Sequence, residues 1–430
     1  MKRLGGVWPR LVAFENLFGA YRRARRGKRT RPDVQNFALR LESNLFTLQR
    51  ELEDGSYRPG AYRLFTVYER KPRLIAAAPF RDRVVHHALM QCIEPTIDRR
   101  FIRDSYACRA GKGVHAAVDR YQQWARRYAY VLKLDISRYF PSIDHRILKE
   151  TLRRHLKDQR VLALLDRIID GAPPGSESQP PFPGDDLLTP LERPRGIPIG
   201  NLTSQFFANL YLDGFDHWLL ETRRVPAYLR YVDDLYILGD DLAELWATRA
   251  ACDEYLAGLR LRLHPRKVRV QRTSEAVDVL GLRVSRQRRW LRNDNGYRFR
   301  RRFRDLLRLY REGRIEWADL LPGVQGWIGH ARHAETLGLR LAIFGPVAFY
   351  RDGWYIVGRG SAPPLAGCCA AVPGTTTQGT RASRTATGTL PTTATKGSVC
   401  GWPSLPAWPS VPLPGTPAVG AAGGVARGCP

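Results

Sequence analysis

Acidic side chains are scarce in this chain and long apolar runs are missing. Only 41 Asp and Glu stand against 69 Lys and Arg among 430 residues, a formal net charge of +28. Nowhere is there a run of about 18 apolar residues, which argues against a membrane-spanning helix. No apolar stretch follows Met1-Lys2-Arg3 either, so a cytoplasmic location is expected. Seven cysteines are present, but none forms a CxxC pair or a Cys/His spacing suited to zinc. A disulfide scaffold and a zinc finger are both disfavoured. Gly111-Lys112-Gly113 lacks the GxxxxGK[ST] spacing of a nucleotide P-loop. His86 and His87 are adjacent and cannot share one helix face, so they make a poor metal pair.

What is abundant points to a polyanion. A charge this positive, without a membrane span, favours nucleic acid over a membrane surface as the partner. With 43% hydrophobic and 10% aromatic residues, most of the chain should be globular.

One stretch organises the rest. In residues 228–238 (YLRYVDDLYIL), apolar and aromatic runs flank Asp233-Asp234, the pattern of two buried strands joined by a tight turn. Asp is depleted in strands. A hairpin presenting carboxylates to hard divalent cations is one explanation, and an ordinary solvated Asp turn is the other.

Residues 1–60 read as helical, with a basic cluster at 22–31 and a single periodic segment over 34–52. Strands are expected at 62–68 and 74–78, then a helix carrying His86-His87. Residues 128–134 form an apolar strand that ends in Asp135, where a strand would fix an acid and the following loop would admit substrate. A helix is expected from about His145, and residues 171–195, rich in Pro, Gly and acids, read as a surface loop. Residues 196–212 (GIPIGNLTSQFFANLYL) begin as a turn and become a helix. After the acidic hairpin come a helix over 242–259, a strand at 268–271 and then the segment 277–284 (VDVLGLRV). Residues 298–311 are very basic, 317–339 are helically periodic, and the folded part ends near Val357.

Taken in this order, the pieces resemble a reverse transcriptase over roughly residues 15–345. Asp135 with an aromatic five residues on, 196–205, the YVDD hairpin, Lys267 and Leu280-Gly281 are similar to the palm motifs of that family. KPR at 71–73 with FRDR at 80–83, and SYACR at 105–109, are similar to its fingers motifs. The resemblance implies an α+β right-hand polymerase: a helical extension at 1–60, fingers at 61–127, a palm with an antiparallel sheet at 128–285 and a helical thumb at 286–352. RNA-directed DNA polymerisation is the activity it implies, with template RNA, cDNA and deoxynucleoside triphosphates as partners.

The same resemblance assigns the site. Asp135 and Asp233 would bridge two Mg²⁺ ions, with Asp234 a third carboxylate and the Ile136 carbonyl an added ligand. Phe140 would be the steric gate against a 2′-hydroxyl. Arg73 and Lys71 would hold the triphosphate, and Lys267 would protonate pyrophosphate or orient the triphosphate. Ile199 and Gly200 would adjoin the nucleotide; Arg109, Ser204, Gln205 and Tyr231 would adjoin template or primer. Residues 290–345 would track the hybrid backbone through sequence-independent, salt-sensitive contacts.

Within the family, GIPIGNLTSQ most resembles the enzymes of diversity-generating retroelements, because Ile199 stands where retroviral and group II intron enzymes place Gln. That subgroup implies a small basic accessory variability protein and errors at template adenine. A retron-like or defence-associated enzyme, or a non-polymerising RNA-binding scaffold, are the alternatives. Residues 353–430 contain no Asp or Glu and are crowded with Gly, Pro, Thr, Ala and Ser. The tail reads either as low-complexity linker or as an out-of-frame translation of a template repeat, since codons for PGTTTQGT can be shifted to read WNNNPGN.

Overall fold

The structure is a computed structural model, and it describes residues 2–68, 72–173, 181–186, 188–344, 347–350 and 353–356. Lys71 and the tail beyond 356 therefore lie outside the described residues. The fold is mixed helix and sheet, and the sheets are antiparallel.

Four helices open the chain: Trp8–Val12, Phe14–Ala24, Pro32–Leu39 and Leu41–Glu53. The single periodic segment read over 34–52 is in fact two helices, broken at Arg40, whose φ of −124° and ψ of 47° leave the helical region. Apolar periodicity carries across such a break because both pieces bury a face against the same core, around Leu17, Tyr21, Leu45 and Leu48. The long helix Phe80–Asp98 completes that layer. Strands β1 (Arg63–Tyr68) and β2 (Pro72–Ala77) pair antiparallel as a projecting hairpin, with Val67 opposite Arg73.

The central sheet contains β3 (Tyr130–Asp135), β4 (Ala227–Tyr231), β5 (Asp234–Gly239) and β6 (Arg269–Arg272), in the order β4-β5-β3-β6. Both of its faces are covered. Leu132, Leu134, Tyr228, Leu235 and Ile237 join the core shared with the N-terminal helices. Val131, Ala227, Leu229, Tyr236 and Leu238 join a second core, shared with helix Val114–Ala125 and the C-terminal helices. Burial on both faces explains why β3, β4 and β5 read as largely apolar runs, whereas the edge strand β6 is polar and partly exposed.

The segment 277–284 is a hairpin, β7 (Val277–Val279) and β8 (Leu282–Val284), with β9 (Arg289–Leu291) alongside. Its two-residue turn has positive φ at both Leu280 (47°) and Gly281 (92°), the signature of a type I′ turn. Leucine does not advertise that conformation, which is why the turn was not legible. Helices Asn293–Arg311, Trp317–Ala331 and Leu337–Phe344 follow. Among the described residues no helix is long and apolar enough to cross a membrane.

Candidate active site

Strand pairing puts the acids together. Asp135 at the end of β3 is the direct cross-strand partner of Asp234 at the start of β5. Side chains alternate along a strand, so both acids project from the same face as Lys133 and Tyr236. Ile136 donates its N–H to the Asp233 carbonyl at 3.2 Å, closing the corner. On the other side His264 N–H donates to the Asp135 carbonyl at 2.7 Å, and Ile136 bridges to Leu263. Asp135 and Ile136 are thus clamped between the acidic turn and the segment leading to Lys267.

The turn itself is strained. Val232 and Asp233 are its two central residues, and of the two only Val232 has positive φ, at 56°, as in a type II′ turn. A β-branched residue there costs about 1–3 kcal/mol and persists only where the surroundings impose it. Val232 packs against both cores, which supplies that constraint.

Like charges directly opposite in a sheet repel. Burial, then repulsion from Asp234 and Asp135, pushes Asp233 from 3.8 up to about 7. Burial also raises Asp234, while Lys133 and Lys267 pull it back. The two lysines supply counter-charge: Lys267 Nζ donates to both oxygens of Asp135 at 2.8 Å, and Lys133 Nζ lies 3.9 Å from Asp234 Oδ1. Hard carboxylate oxygens gathered at a corner short of positive charge suit a divalent cation such as Mg²⁺. Among the described residues no three acidic, histidine or cysteine side chains converge closely enough to grip an ion as they stand. Asp135 is turned to the Lys267 ammonium instead.

Of the residues expected beside the nucleotide, Ile199, Gly200 and Phe140 meet at a seam with the strand that carries Arg73. Ile199 accepts through its carbonyl from Ala76 N–H at 3.3 Å, which joins Ile199-Gly200 to β2, the strand that carries exposed Arg73. Gly200 has φ of +110°, and a Cβ there would stand 3.1 Å from Ile75 Cγ2, so the residue allows a backbone approach that a side chain would obstruct. Half-buried Phe140 accepts from Ile197 N–H at 3.0 Å, bringing the short helix Tyr139–Ser142 to the same seam.

Other expected contacts sit differently. Arg109 is only 8% exposed and is tied to the Asp98 carboxylate at 2.6 Å and to the Ile102, Ser105 and Asp98 carbonyls. Its guanidinium is thus a structural tie, against the expectation that it touches template. The SYACR segment runs beside β4, with Ser105 bridging Arg230. Ser204 and Tyr231 are buried, and Gln205 is half-buried. Sequence reasoning missed Arg230, Asp216 and Asn209, which lie buried beneath the YVDD turn. The signal was available: an arginine inside a strand buried on both faces requires a buried partner.

Comparison with known proteins decides the family. The family model for reverse transcriptase (RNA-dependent DNA polymerase) matches residues 66–284, just over half of the chain. The chain belongs to the reverse transcriptase family. The match spans β2, the Asp135 strand, the YVDD hairpin and Lys267, and it makes the chain an RNA-directed DNA polymerase with a right-hand polymerase fold, acting on an RNA template and nucleotides. This reverse transcriptase is 26% identical over 289 residues to Protein YkfC of Escherichia coli (strain K12), covering 58% of this chain and 73% of that one. It is 32% identical over 157 residues to the Retron Mx65 reverse transcriptase of Myxococcus xanthus, 36% of each chain. It is 30% identical over 87 residues to Nuclear intron maturase 1, mitochondrial, of Arabidopsis thaliana, 20% of this chain and 12% of the relative.

Proposed function

We propose that polymerisation runs on Asp135, Asp233 and Asp234 with two Mg²⁺ ions, in a diversity-generating retroelement. The cross-strand pairing of Asp135 with Asp234 carries the first part. When bound, the ions would acidify the primer 3′-hydroxyl and neutralise the leaving pyrophosphate. The protein's share is to hold its acids on a rigid sheet corner, with the Ile136 carbonyl at the same bend. Lys267 would exchange Asp135 for the departing phosphate, and Arg73, with Lys71, would clamp the triphosphate from the hairpin. Phe140 would close the sugar pocket against a 2′-hydroxyl.

On this reading residues 61–127 are fingers, 128–285 palm and 286–352 thumb. Exposed Arg300, Arg301, Arg304 and Arg308 on helix Asn293–Arg311 would follow the hybrid backbone. Template choice would then depend on RNA structure or on a small basic accessory protein.

Ile199 carries the retroelement assignment, since an aliphatic side chain stands where a glutamine would hydrogen-bond near the templating pair. Copying a defined RNA and sequencing the cDNA tests it. The wild type is expected to err at template adenine, and Ile199→Gln to suppress those errors. Accurate copying by the wild type would favour the retron-like alternative, and unchanged errors in the variant would remove Ile199 as their cause.

A further inference from the structure

Three residues before Asp233, Arg230 is completely buried, and so is its partner Asp216. Arg230 Nε donates to Asp216 Oδ1 and Oδ2 at 2.8 and 2.9 Å, and Nη2 to Oδ2 at 2.6 Å. Tyr228 Oη donates to the same carboxylate at 2.7 Å. The guanidinium also reaches Asn209, donating to its Oδ1 and to its carbonyl at 3.2 Å each. Asn209 in turn donates through Nδ2 to the Ala107 carbonyl at 2.8 Å. The remaining contact leaves this group: Nη1 donates to the Val232 carbonyl at 3.4 Å.

Stability is a poor explanation for such a pair. Desolvating two charges is expensive, and apolar side chains of similar volume fill such a space as well or better. What an apolar pair cannot do is hold a carbonyl. The carbonyl in question belongs to the residue with φ of 56° at the corner of the acidic turn.

We propose that Arg230 is a positioning residue of the polymerase: locked by Asp216 and Asn209, it anchors the Val232 carbonyl and so sets where Asp233 and Asp234 point. The neighbouring backbone fixes the anchor itself, since Arg230 N–H donates to Asp104 at 3.0 Å and Tyr106 N–H to the Arg230 carbonyl at 2.9 Å. Any rotation of the turn would then have to break a charge-assisted network on one side and a strand bridge on the other. The inference rests on the proposed metal-binding role of the two acids.

The test removes both charges at once in the full chain. Arg230→Met with Asp216→Leu leaves no uncompensated charge, so folding and RNA affinity should persist while the anchor is lost. Primer extension on poly-rA is read as kcat, KM for dTTP and half-saturating Mg²⁺. A displacement of about 1 Å at reacting groups costs up to about a hundredfold, so kcat should fall about ten- to a hundredfold and more Mg²⁺ should be needed, with KM little changed. A folded double variant with wild-type kcat and Mg²⁺ dependence overturns the proposal.

If the double variant does not fold, Arg230→Lys decides, because it keeps a positive charge opposite Asp216 without the fork that also reaches Val232. Lost kcat and weaker Mg²⁺ use with intact RNA binding support the anchor. Parallel loss of folding, RNA binding and kcat makes Arg230 merely structural and overturns it. Wild-type protein inactive with Mg²⁺ would instead defeat the metal reading on which the inference stands.

Discussion

Lys267 donates to both carboxylate oxygens of Asp135, 2.8 Å away in each case, although 132 residues separate them in sequence. The ammonium stands where a cation would act on the strand-end acid. On the proposed two-metal reading, lysine and metal would compete for Asp135. Lys267 is 45% exposed, so the contact is a weak competitor, worth a factor of about two to five. Lys267→Met should tighten Mn²⁺ binding to the free protein by that factor, read by EPR titration, while slowing nucleotide incorporation. Weaker Mn²⁺ binding in the variant would mean that the lysine does not compete.

Asp233 gives the metal-free protein a pH dependence of definite sign. Its folded pKa, about 7, lies above the ordinary 3.8. The buried carboxyl is therefore tolerated as the neutral acid below about pH 4, and its contribution to stability is lost as pH rises toward 7. Thermal melts from pH 4 to 8 should show Asp233→Asn gaining on the wild type as pH increases. A constant difference across that range would contradict the placement of Asp233. Metal binding, which needs the carboxylate, should strengthen over the same interval.

Histidines act in the opposite direction at the joint between helix Val114–Ala125 and the C-terminal helices. His115 stacks on His333 with ring centroids 3.4 Å apart and lies 6.1 Å from His330. Burial first, then the two neighbouring rings, lowers His115 to about 4, and burial lowers His330 and His333. Asp119 opposes the shift, whereas Arg332 and Arg289 add to it. A depressed folded pKa means stability present above 6.5 and lost as pH falls toward 4. Hydrogen exchange should show residues 317–331 opening faster on acidification, and His115→Phe should blunt that response. Equal acceleration in both proteins would rule out the cluster as the cause.

Arg109 is expected to matter for folding rather than for RNA. Arg109→Ala removes the ion pair with Asp98 and takes the donor from the buried Ser105 carbonyl, while the Ile102 and Asp98 carbonyls keep a backbone donor, a loss of about 2–3 kcal/mol. Urea melts should register it. The slope of RNA affinity against salt should stay as in the wild type, whereas a phosphate contact would reduce it by nearly one.

The positions of these groups were not equally legible in the sequence. Asp135, Asp233 and Asp234 could be read because acids at the ends of apolar strands violate ordinary propensity, and only their mutual register had to come from pairing. The helix break at Arg40 and the Leu280-Gly281 turn left no mark on apolar periodicity. Arg230 was in plain view within YLRYVDD, yet its partner Asp216 is brought to it by packing, not by spacing. Arg109 sat in a motif that suggested a ligand, and burial assigned it to the protein's own carbonyls.

The central claim is that a metal sits where Asp135 meets the 233–234 turn. Replacing Mg²⁺ by Fe²⁺ with ascorbate and peroxide, then mapping where the backbone is cut, tests it most directly. Two cuts should emerge together, one near residue 135 and one near 233–234, both suppressed by excess Mg²⁺ and by Asp135→Asn. Cuts elsewhere, or at one site without the other, in protein that still extends a primer would contradict it.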